Sequence, residues 1–520
     1  MRIQPIITMM VLLVPFAMPE YTEYTDEYGD VQCADFSSSF EQENNVSLVV
    51  TNPNRIIPSR LLKNGDYDYA QVLNLSFLFY EAQRVGKLPS NNRIPWRSNA
   101  FLNDKSPLGT DITGGWLDAG DNVRFNFPMA WSAGIIAWSV DMFSETYKST
   151  HTYDIAINNL RWVGDYFIKC YYAQNEIVGQ VRTGSTDHIL WTRPEYIYGR
   201  NDVYTLTSSR PGSDLTGSVA GFLALLAKIT KSSDINYSNK ALDFAKKYYI
   251  FSKKYHGLYS TSIPDAAGFY PSSSVYDDMA WGAVCLYEAT GDKTYLNDAI
   301  VFINKHWSDE GTPWMNYDWD SHSWGAKILI AKYAPQVAVR AKTEVDAFVN
   351  TWLYSNHDGF SGPKYTPKGL AWYTKWGSLR HSANAAFLMM AHRHNNLHDD
   401  LSQQKNIICF AHKQIRYMLG ESGRSYVVGY GHNPPMRPHH RSSSCPKQPG
   451  TCDWTQFNSK NENPSILYGA LVGGPDINDI YIDDRTDYVG NEVATDYNAG
   501  FTGVLAALIN QSPYSNCQKN

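Results

Sequence analysis

Residues 483–509 read DDRTDYVGNEVATDYNAGFTGVLAALI and join a carboxylate-rich loop to a helical repeat. In the second half of this stretch, apolar side chains recur every three or four residues, at Ala494, Tyr497, Phe501, Leu505 and Leu508. This spacing places them on one face of an α-helix. We therefore predict a helix over residues 492–509 that packs into a core through that face.

The same helical spacing recurs along most of the chain from about residue 66. It predicts twelve helices, at residues 67–86, 129–147, 154–172, 215–230, 238–251, 276–290, 294–307, 323–333, 342–355, 378–393, 402–419 and 492–509. Alternation of the strand type is scarce between them, so the predicted fold class is all-α. Long loops that carry function are expected at residues 87–128, 175–213, 258–275 and 421–490.

Composition limits the class of ligand. The chain has 520 residues, a formal net charge of −6 and only 18% charged residues. Nucleic acid binds basic surfaces, so we expect no nucleic-acid partner. Aromatic residues make up 14% of the chain, and these amphipathic rings suit a neutral, hydroxylated ligand, although a Tyr-rich core accounts for most of them.

The N-terminal segment indicates export. Residues 1–18 contain an apolar run that is too short to span a bilayer and fits the core of a signal peptide. Residues 19–65 are polar and show no helical period, which is typical of a leader or linker. We expect a catalytic domain over residues 66–512, a tail over 513–520, and a secreted, extracellular monomer that does not associate with membranes after signal removal.

Seven cysteines do not form a dense disulfide framework. Cys445 and Cys452 are close enough in sequence to form a loop disulfide, and Cys33 and Cys517 lie near the termini. The remaining three lie in apolar helical patterns and are predicted to be buried free thiols: Cys170, Cys285 and Cys409.

The first candidate site lies in the loop GGWLDAGD, residues 114–121. Asp118 and Asp121 are three positions apart in a glycine-rich turn, so both carboxylates can reach one small volume. Two ionised carboxylates there could hold a water molecule and take its proton. The alternative is a helix N-cap or an Asx turn, which is the commoner role for a single aspartate.

The second candidate site is the proline-stiffened loop GHNPPMRPHHR, residues 431–441. Its histidine and arginine side chains can donate hydrogen bonds to sugar hydroxyls. A metal site at His439 and His440 is the rival interpretation, but adjacent residues seldom share a face and no third ligand follows at the usual zinc spacing.

The third candidate site runs from Asp483 to Glu492. An EF-hand beginning at Asp476 is excluded, because its sixth position is Tyr481 instead of Gly and its twelfth is Asp487 instead of Glu. A capping role at the start of the predicted helix is the alternative for Glu492. Carboxylates from separate loops that converge on one cleft are the equipment of glycoside hydrolysis, in which one acid protonates the leaving oxygen and another activates water.

These motifs resemble the family 9 glycoside hydrolases, which are mostly endo-β-1,4-glucanases. The resemblance covers about residues 67–508 and is carried by FYEAQR at 79–84, GGWLDAGD at 114–121, SYVVGYGHNPPMRPHHR at 425–441 and YIDDRTDYVGNEVATDYNA at 481–499. It implies an (α/α)6 barrel, which agrees with twelve helices, and an inverting mechanism. One departure is Leu117, where the family usually has Tyr.

The resemblance also implies roles for individual residues. Asp121 is then the general base, Asp118 helps to position the water, and Glu492 is the general acid. His439 and Asp483 match further positions of the family's active site, and five residues match positions that contact sugar: His188, Trp376, Arg380, Arg441 and Tyr497.

A calcium site is a further implication of the resemblance. Many members bind calcium through a Ser-Gly-Tyr-x-Asp-Glu stretch, and the equivalent here reads SSVYDD at 273–278. Hard oxygen ligands remain, although Gly and Glu are replaced. The implied ligands of a structural ion, with no cofactor required for the chemistry, are Ser273, Ser274, Asp277, Asp278 and Asp320.

The sequence thus predicts a secreted endo-β-1,4-glucanase that acts on cellulose or a related glucan. Another β-glucan specificity, such as lichenan or xyloglucan, is the rival among enzymes. A catalytically inactive sugar-binding protein is the rival from another class, and the presence of all three predicted catalytic carboxylates argues against it.

Overall fold

The computed structural model describes residues 21–22, 56–310, 314–354, 362–397 and 400–518. The predicted signal peptide, most of the predicted leader and Cys33 lie outside these residues, so the structure does not test them. In the described part of the chain, no helix is long and apolar enough to cross a membrane.

Twelve long helices make up most of the described chain. They are α1 Tyr69–Ala82, α2 Asn126–Met142, α3 Tyr153–Cys170, α4 Ser213–Thr230, α5 Ile235–Lys254, α6 Tyr276–Thr290, α7 Lys293–Glu310, α8 Ser323–Tyr333, α9 Val339–Tyr354, α10 Ser378–His394, α11 Leu401–Arg416 and α12 Thr495–Leu508. Short helical turns lie at 144–149, 184–187, 194–196, 259–262, 264–267, 417–421, 441–444, 454–458 and 514–517.

The even-numbered helices form a closed inner ring. Each packs against the next, from α2 through α4, α6, α8, α10 and α12, and α12 returns to α2. Nearly all of their side chains are buried, including polar ones such as Arg380, His381 and Asn384 of α10. A helix that is buried on every side needs neighbours all round it, and the ring with its outer layer supplies them.

An outer layer covers this ring. Helix α5 packs on α4, α7 on α6, α9 on α8 and α11 on α10, while α1 packs on α12 and α3 on α2. The outer helices α3, α5 and α11 have one apolar and one polar face, as expected for helices that separate a core from water. The fold is therefore the predicted (α/α)6 barrel.

The strands are short and lie in the loops. Glu176–Val181 pairs antiparallel with Arg124–Phe125, Tyr171–Ala173 and Val203–Leu206 to form a small sheet. Two-stranded pairs join Tyr21–Thr22 to Leu61–Leu62 and Lys364–Tyr365 to Ala371–Trp372. The prediction of a long loop over 175–213 was therefore wrong in part, because two strands of the sheet fall inside it.

The described residues contain two disulfides, and one corrects a prediction. Cys445–Cys452 closes the predicted short loop. Cys409 was predicted to be a free thiol, but it is bonded to Cys517 and ties the C-terminal tail to α11. Cys170 and Cys285 are buried and free, as predicted.

A close contact between Gly469 and α1 yields a stability prediction. Gly469 has φ +78°, and a Cβ there would lie 1.9 Å from the carbonyl oxygen of Leu75. Gly109 has φ +81° but open space around it, so it is a matched control. We expect Gly109→Ala to cost about 1 kcal/mol through its backbone conformation alone and Gly469→Ala to cost about 3 kcal/mol or more.

Urea unfolding of the two variants measures this difference. Equal free energies of unfolding would show that the segment around Gly469 moves away from α1 at little cost.

Candidate active site

A cleft lies at the N-terminal ends of the inner helices. Asp118 and Asp121 precede α2, Tyr270 precedes α6, Trp319 precedes α8, and Glu492 precedes α12. The cavity has a volume of about 790 Å³. Its other walls include His188, Trp191, Phe269, Trp376, Arg380, His439, Arg441, Trp454, Phe457, Tyr488, Asp496 and Tyr497.

Backbone hydrogen bonds join the three predicted motif loops at this cleft. The amide of Arg441 donates to Gly120 at 3.0 Å, and that of Thr495 donates to Asp118 at 2.9 Å. The amide of His439 donates to the carbonyl of Asn491 at 2.8 Å. Main-chain contacts, two of them between segments more than 300 residues apart in sequence, therefore position the predicted catalytic carboxylates.

Gln83 in the FYEAQR motif supports the same junction from α1. Its Nε2 donates to the carbonyl oxygens of Leu117 at 3.1 Å and Ala119 at 2.6 Å. Its Oε1 lies 3.0 Å from Nε2 of His440, which donates to it because an amide oxygen can only accept. One buried side chain thus connects the first loop to the second.

Asp118 and Asp121 lie next to each other, and both are buried. Asp118 Oδ2 accepts a short hydrogen bond from the hydroxyl of Tyr270, and Asp121 Oδ1 accepts one from the amide of Ala119 at 3.3 Å. Burial raises the pKa of Asp118 well above its ordinary value, and the neighbouring Asp121 charge adds to this effect. Burial also raises the pKa of Asp121 to about 6.

Each of these two aspartates has one carboxylate oxygen that is free to bind a ligand. Asp118 Oδ1 and Asp121 Oδ2 have no hydrogen-bond partner among the residues that the structure describes. Two unpartnered acceptors in a cleft can hold one water molecule between them.

Glu492 lies in the extended segment before α12. It pairs with His439 in an isolated parallel bridge, and α12 begins only at Thr495 with Ala494 as its N-cap. The expectation that Glu492 starts a helix was therefore wrong, and the capping alternative does not apply. Its Oε2 accepts hydrogen bonds from Trp376 Nε1 at 3.1 Å and from the Tyr497 hydroxyl at 3.2 Å.

Burial raises the pKa of Glu492 to about 7, and the charge of Asp496 contributes in the same direction. A carboxyl group that keeps its proton near neutral pH can act as a general acid.

His439 presents an unprotonated ring nitrogen to the cleft. Its Nδ1 lies 2.7 Å from the carbonyl oxygen of Arg485, so Nδ1 carries the hydrogen and donates it. Burial lowers the pKa of His439 to about 4, and the ring is neutral at pH 7. Its Nε2 is therefore an acceptor.

Nine of the ten residues predicted for catalysis or sugar binding line the cleft, and Asp483 does not. The carboxylate of Asp483 instead accepts the backbone amides of Met436 and Arg437, both at 2.9 Å. It therefore stabilises the conformation of the loop at residues 431–441, called the His-Arg loop below. Its predicted catalytic role has no support from its position.

The residues predicted to bind sugar differ in exposure. Trp376 and His188 are exposed, whereas Arg380, Arg441 and Tyr497 are buried in the cleft wall. His188 Nδ1 lies 2.8 Å from the Gly184 carbonyl oxygen, so Nδ1 donates and Nε2 remains available.

Several cleft residues escaped prediction. Trp191, Tyr270, Trp319, Trp454 and Asp496 line the cleft, and Asp187 does not line it but bonds to Arg441 of its wall. Asp496 lies within the quoted stretch 481–499, directly before Tyr497, and Asp187 directly precedes the predicted sugar-binding residue His188, so the acidity of both was a usable signal. The aromatic residues come from loops whose only signal was length and tryptophan content.

The five residues predicted to bind calcium surround a second cavity in part. Ser273, Ser274, Asp277 and Asp320 line it, together with Asp318 and His306. Asp278 does not line it, because its Oδ1 pairs with Nδ1 of buried His322 at 2.8 Å.

Buried carboxylate oxygens without hydrogen-bond partners help to decide whether a cation fits at the second cavity. Asp277 Oδ1 and Asp278 Oδ2 are buried without a hydrogen-bond partner in the described chain, and a cation would satisfy such acceptors. Among the described residues, however, three carboxylate or imidazole ligands come within 4.8 Å of one another only at Asp121, Asp187 and His188, in the cleft. At the second cavity, Asp277 therefore offers one free oxygen to an ion, and the predicted contribution of Asp278 is weakened.

Comparisons with known proteins agree with this geometry. The model of Glycosyl hydrolase family 9 matches residues 69–505. Endoglucanase 4 of Bacillus sp. (strain KSM-522) is 40% identical over 448 residues, which are 85% of this chain and 69% of that protein.

Two solved structures extend the likeness to the fold. An endoglucanase from the termite Nasutitermes takasagoensis has a TM-score of 0.80 and 46% identity over 85% of this chain and 98% of its own. The cellulase Cel9M of C. cellulolyticum in complex with cellobiose has a TM-score of 0.77 and 33% identity over the same shares of the two chains.

The raised pKa of Glu492 predicts a pH-dependent stability effect. A folded-state pKa of about 7, against an ordinary value of 4.5, means that ionising the buried group opposes folding by roughly 3 kcal/mol above pH 7 and not below pH 4. Glu492→Gln removes the ionisation and keeps an oxygen that accepts from Trp376 and Tyr497. The variant should therefore melt at a higher temperature than wild type at pH 8 and at a similar temperature at pH 4.

Asp484→Asn is the matched control from the same loop. The Lys460 amino group bonded to Asp484 lowers the pKa of that carboxyl to about 2, so its ionisation favours folding and the amide should give no gain at pH 8. A gain in melting temperature of Glu492→Gln over wild type that is no larger at pH 8 than at pH 4 would contradict the raised pKa.

Proposed function

This chain belongs to glycosyl hydrolase family 9, and from that membership and the cleft geometry we propose that it hydrolyses internal β-1,4-glucosidic bonds of cellulose or a related glucan. It is an endoglucanase-type glycoside hydrolase, and its cleft has the lining that a polysaccharide needs. Aromatic rings of Trp376, Trp319 and Tyr488 offer faces for sugar stacking, while buried arginines offer donors for hydroxyl groups.

One observation carries the proposal. Two separate carboxylate sites, Asp118 with Asp121 and Glu492, line one cleft, and burial raises the pKa of all three groups. Groups with displaced pKa values in a cleft are the expected equipment of acid–base catalysis. A sugar-binding protein without activity would need none of them.

In the proposed reaction, Asp121 acts on the attacking water and Glu492 acts on the glycosidic oxygen. Asp121 takes a proton from a water molecule that Asp118 helps to hold, and this water attacks the anomeric carbon. Glu492 gives its proton to the glycosidic oxygen as the bond to the leaving sugar breaks. Because water attacks directly, the product has the inverted configuration. The likeness to a cellulase structure with bound cellobiose supports a cellulosic substrate.

We further propose that the enzyme is secreted. The predicted signal peptide motivates this proposal, and the disulfides Cys409–Cys517 and Cys445–Cys452 are consistent with an oxidising compartment.

Leaving-group dependence separates the acid from the base. Glu492→Gln should lose cleavage of cello-oligosaccharides by at least roughly a hundredfold, yet retain more activity on an aryl cellobioside whose phenolate departs without protonation. Asp121→Asn should lose both activities, because water needs activation whatever leaves. Reducing-sugar release and phenolate absorbance measure the two reactions.

Proton NMR of the first product tests inversion, which requires the α-anomer from a β-1,4 bond. Near wild-type cleavage of cello-oligosaccharides by folded Glu492→Gln would place the acid elsewhere. Binding of soluble cellulose without any turnover by wild type would favour the sugar-binding alternative.

The pH dependence of wild-type turnover follows from the same two groups. The rate should rise as the base loses its proton near pH 6 and fall as the acid loses its proton near pH 7. A bell-shaped profile of kcat/KM with limbs at about these values is expected, each limb being a property of the coupled site. A profile still rising at pH 8 would contradict the assignment of Glu492.

For calcium we propose a structural site at the second cavity, built on Asp277, Asp320 and the neighbouring serines Ser273 and Ser274. Added calcium should raise Tm in a chelator-treated sample, and Asp277→Asn should abolish the rise. Asp484→Asn serves as the control because Asp484 lies outside this cavity. An unchanged Tm with calcium and with chelator would remove the site.

A further inference from the structure

Asp496 is a buried carboxylate one turn beyond Glu492. It lies in the first turn of α12 and lines the cleft, and its Oδ2 accepts a hydrogen bond from Nη1 of Arg380 at 2.7 Å. Its Oδ1 is buried and has no hydrogen-bond partner in the part of the chain that the structure describes. A second carboxylate therefore lies in the same cleft as the proposed acid, close enough for its charge to raise the pKa of Glu492.

Asp187 occupies a corresponding place behind Asp121. It is fully buried, and its Oδ1 accepts from Nε of Arg182 at 2.7 Å. Its Oδ2 accepts from Nη1 of Arg441 and from the amide of Asn122 at 3.2 Å. One of its oxygens lies within 4.8 Å of a carboxylate oxygen of Asp121.

Asp187 and Asp496 have the same surroundings, and an ion pair that only stabilised the fold would not need them. Each holds an arginine that itself lines the cleft, Arg441 for Asp187 and Arg380 for Asp496. Each also lies beside one proposed catalytic carboxylate. Buried ion pairs are weak contributors to stability, because desolvation offsets much of their attraction. Their place at the reacting groups points to a role in the reaction.

We propose that Asp187 and Asp496 are positioning residues that each fix a cleft arginine and place a second negative charge beside one catalytic carboxylate, Asp187 beside Asp121 and Asp496 beside Glu492. This inference rests on the proposed function and gives Asp187 and Asp496 roles in the same reaction.

The charges around Asp121 come from several elements. Burial is the main cause of its raised pKa, and Asp187 adds to the rise while His188 and Arg441 oppose it. Asp118 also faces Asp121 and interacts with it. Removing the charge of Asp187 leaves the positive groups unopposed, so the pKa of Asp121 should fall.

Glu492 has a different set of neighbours. Burial again is the main cause of its raised pKa, with Asp496 and Asp121 adding to it and hydrogen bonds from Trp376 and Tyr497 opposing it. Removing the charge of Asp496 should lower the pKa of Glu492.

The pH profile of kcat/KM tests the proposal, because each variant should move a different limb. The rate needs a deprotonated base, so Asp187→Asn should shift the acid limb by about one unit to lower pH and leave the alkaline limb in place. The rate also needs a protonated acid, so Asp496→Asn should shift the alkaline limb by about one unit to lower pH and leave the acid limb in place.

Three further variants sharpen the test. Asp187→Glu and Asp496→Glu keep the charge and should restore the wild-type limbs even where kcat falls. Asp484→Asn changes a carboxylate outside the cleft in the same way and should leave both limbs unmoved.

If Asp187→Asn does not fold, Arg182→Gln tests the same role of Asp187. This variant keeps Asp187 charged and removes one neutralising partner, so it should shift the acid limb to higher pH. Melting curves and near-ultraviolet circular dichroism establish that each variant is folded.

The outcomes separate this inference from the proposed function. If Asp121→Asn and Glu492→Gln are inactive but Asp187→Asn and Asp496→Asn lose rate with both limbs unmoved, the two aspartates are structural and only the inference is overturned. If Asp121→Asn or Glu492→Gln retains wild-type activity, the assignment of that carboxylate fails, and the role of its neighbour fails with it.

Discussion

The active site depends on a close backbone contact at Gly120. A Cβ at this position would lie 2.2 Å from the carbonyl oxygen of His439, so the loop that carries the aspartates meets the His-Arg loop only where a side chain is missing. The amide of Arg441 then reaches the Gly120 carbonyl, and the amide of Thr495 reaches that of Asp118. Because these contacts join backbone to backbone, the positions of the base and of the segment that carries the acid do not depend on side-chain rotamers. The cleft arginines and histidines complete a frame that this contact already defines.

The frame also explains why the catalytic groups have unusual acidity. Asp118, Asp121 and Glu492 are enclosed by rings and by other carboxylates, and desolvation is the first cause of each raised pKa. A helix N-terminus offsets part of the cost of burying negative charge, and the inner helices begin at this cleft. The protein therefore accepts a local loss of stability at the site, and the twelve-helix core outside it carries the fold.

The helices could be predicted from sequence much better than their long-range connections. The bounds predicted for 276–290 and 323–333 match α6 and α8, because stop signals follow both helices in the sequence, Gly291 after α6 and Pro335 shortly after α8. Three features depended on distant partners and were missed or misjudged. Cys409 pairs with Cys517 across 108 residues, and Glu492 is held in a bridge to His439 that stops α12 from starting earlier. Asp187 and Asp496 directly precede residues that were predicted to bind sugar, but their arginine partners lie 254 and 116 positions away. Resemblance to a family supplied the catalytic residues, whereas periodicity supplied only the helices that hold them.

The direction of the inner helices has a consequence for how such an enzyme can be altered. Five of the six inner helices, α2, α6, α8, α10 and α12, start beside residues that line the cleft, so the segments that enter the ring there pass the substrate, and the connections at the opposite end do not. The two ends of the barrel are therefore unequal as targets for redesign. Insertions or fused domains at the far end leave the cleft untouched, while small changes in the entering segments reshape what the cleft accepts. Selection can thus act on specificity at one end and on solubility or attachment at the other, with the ring of helices as the barrier between the two.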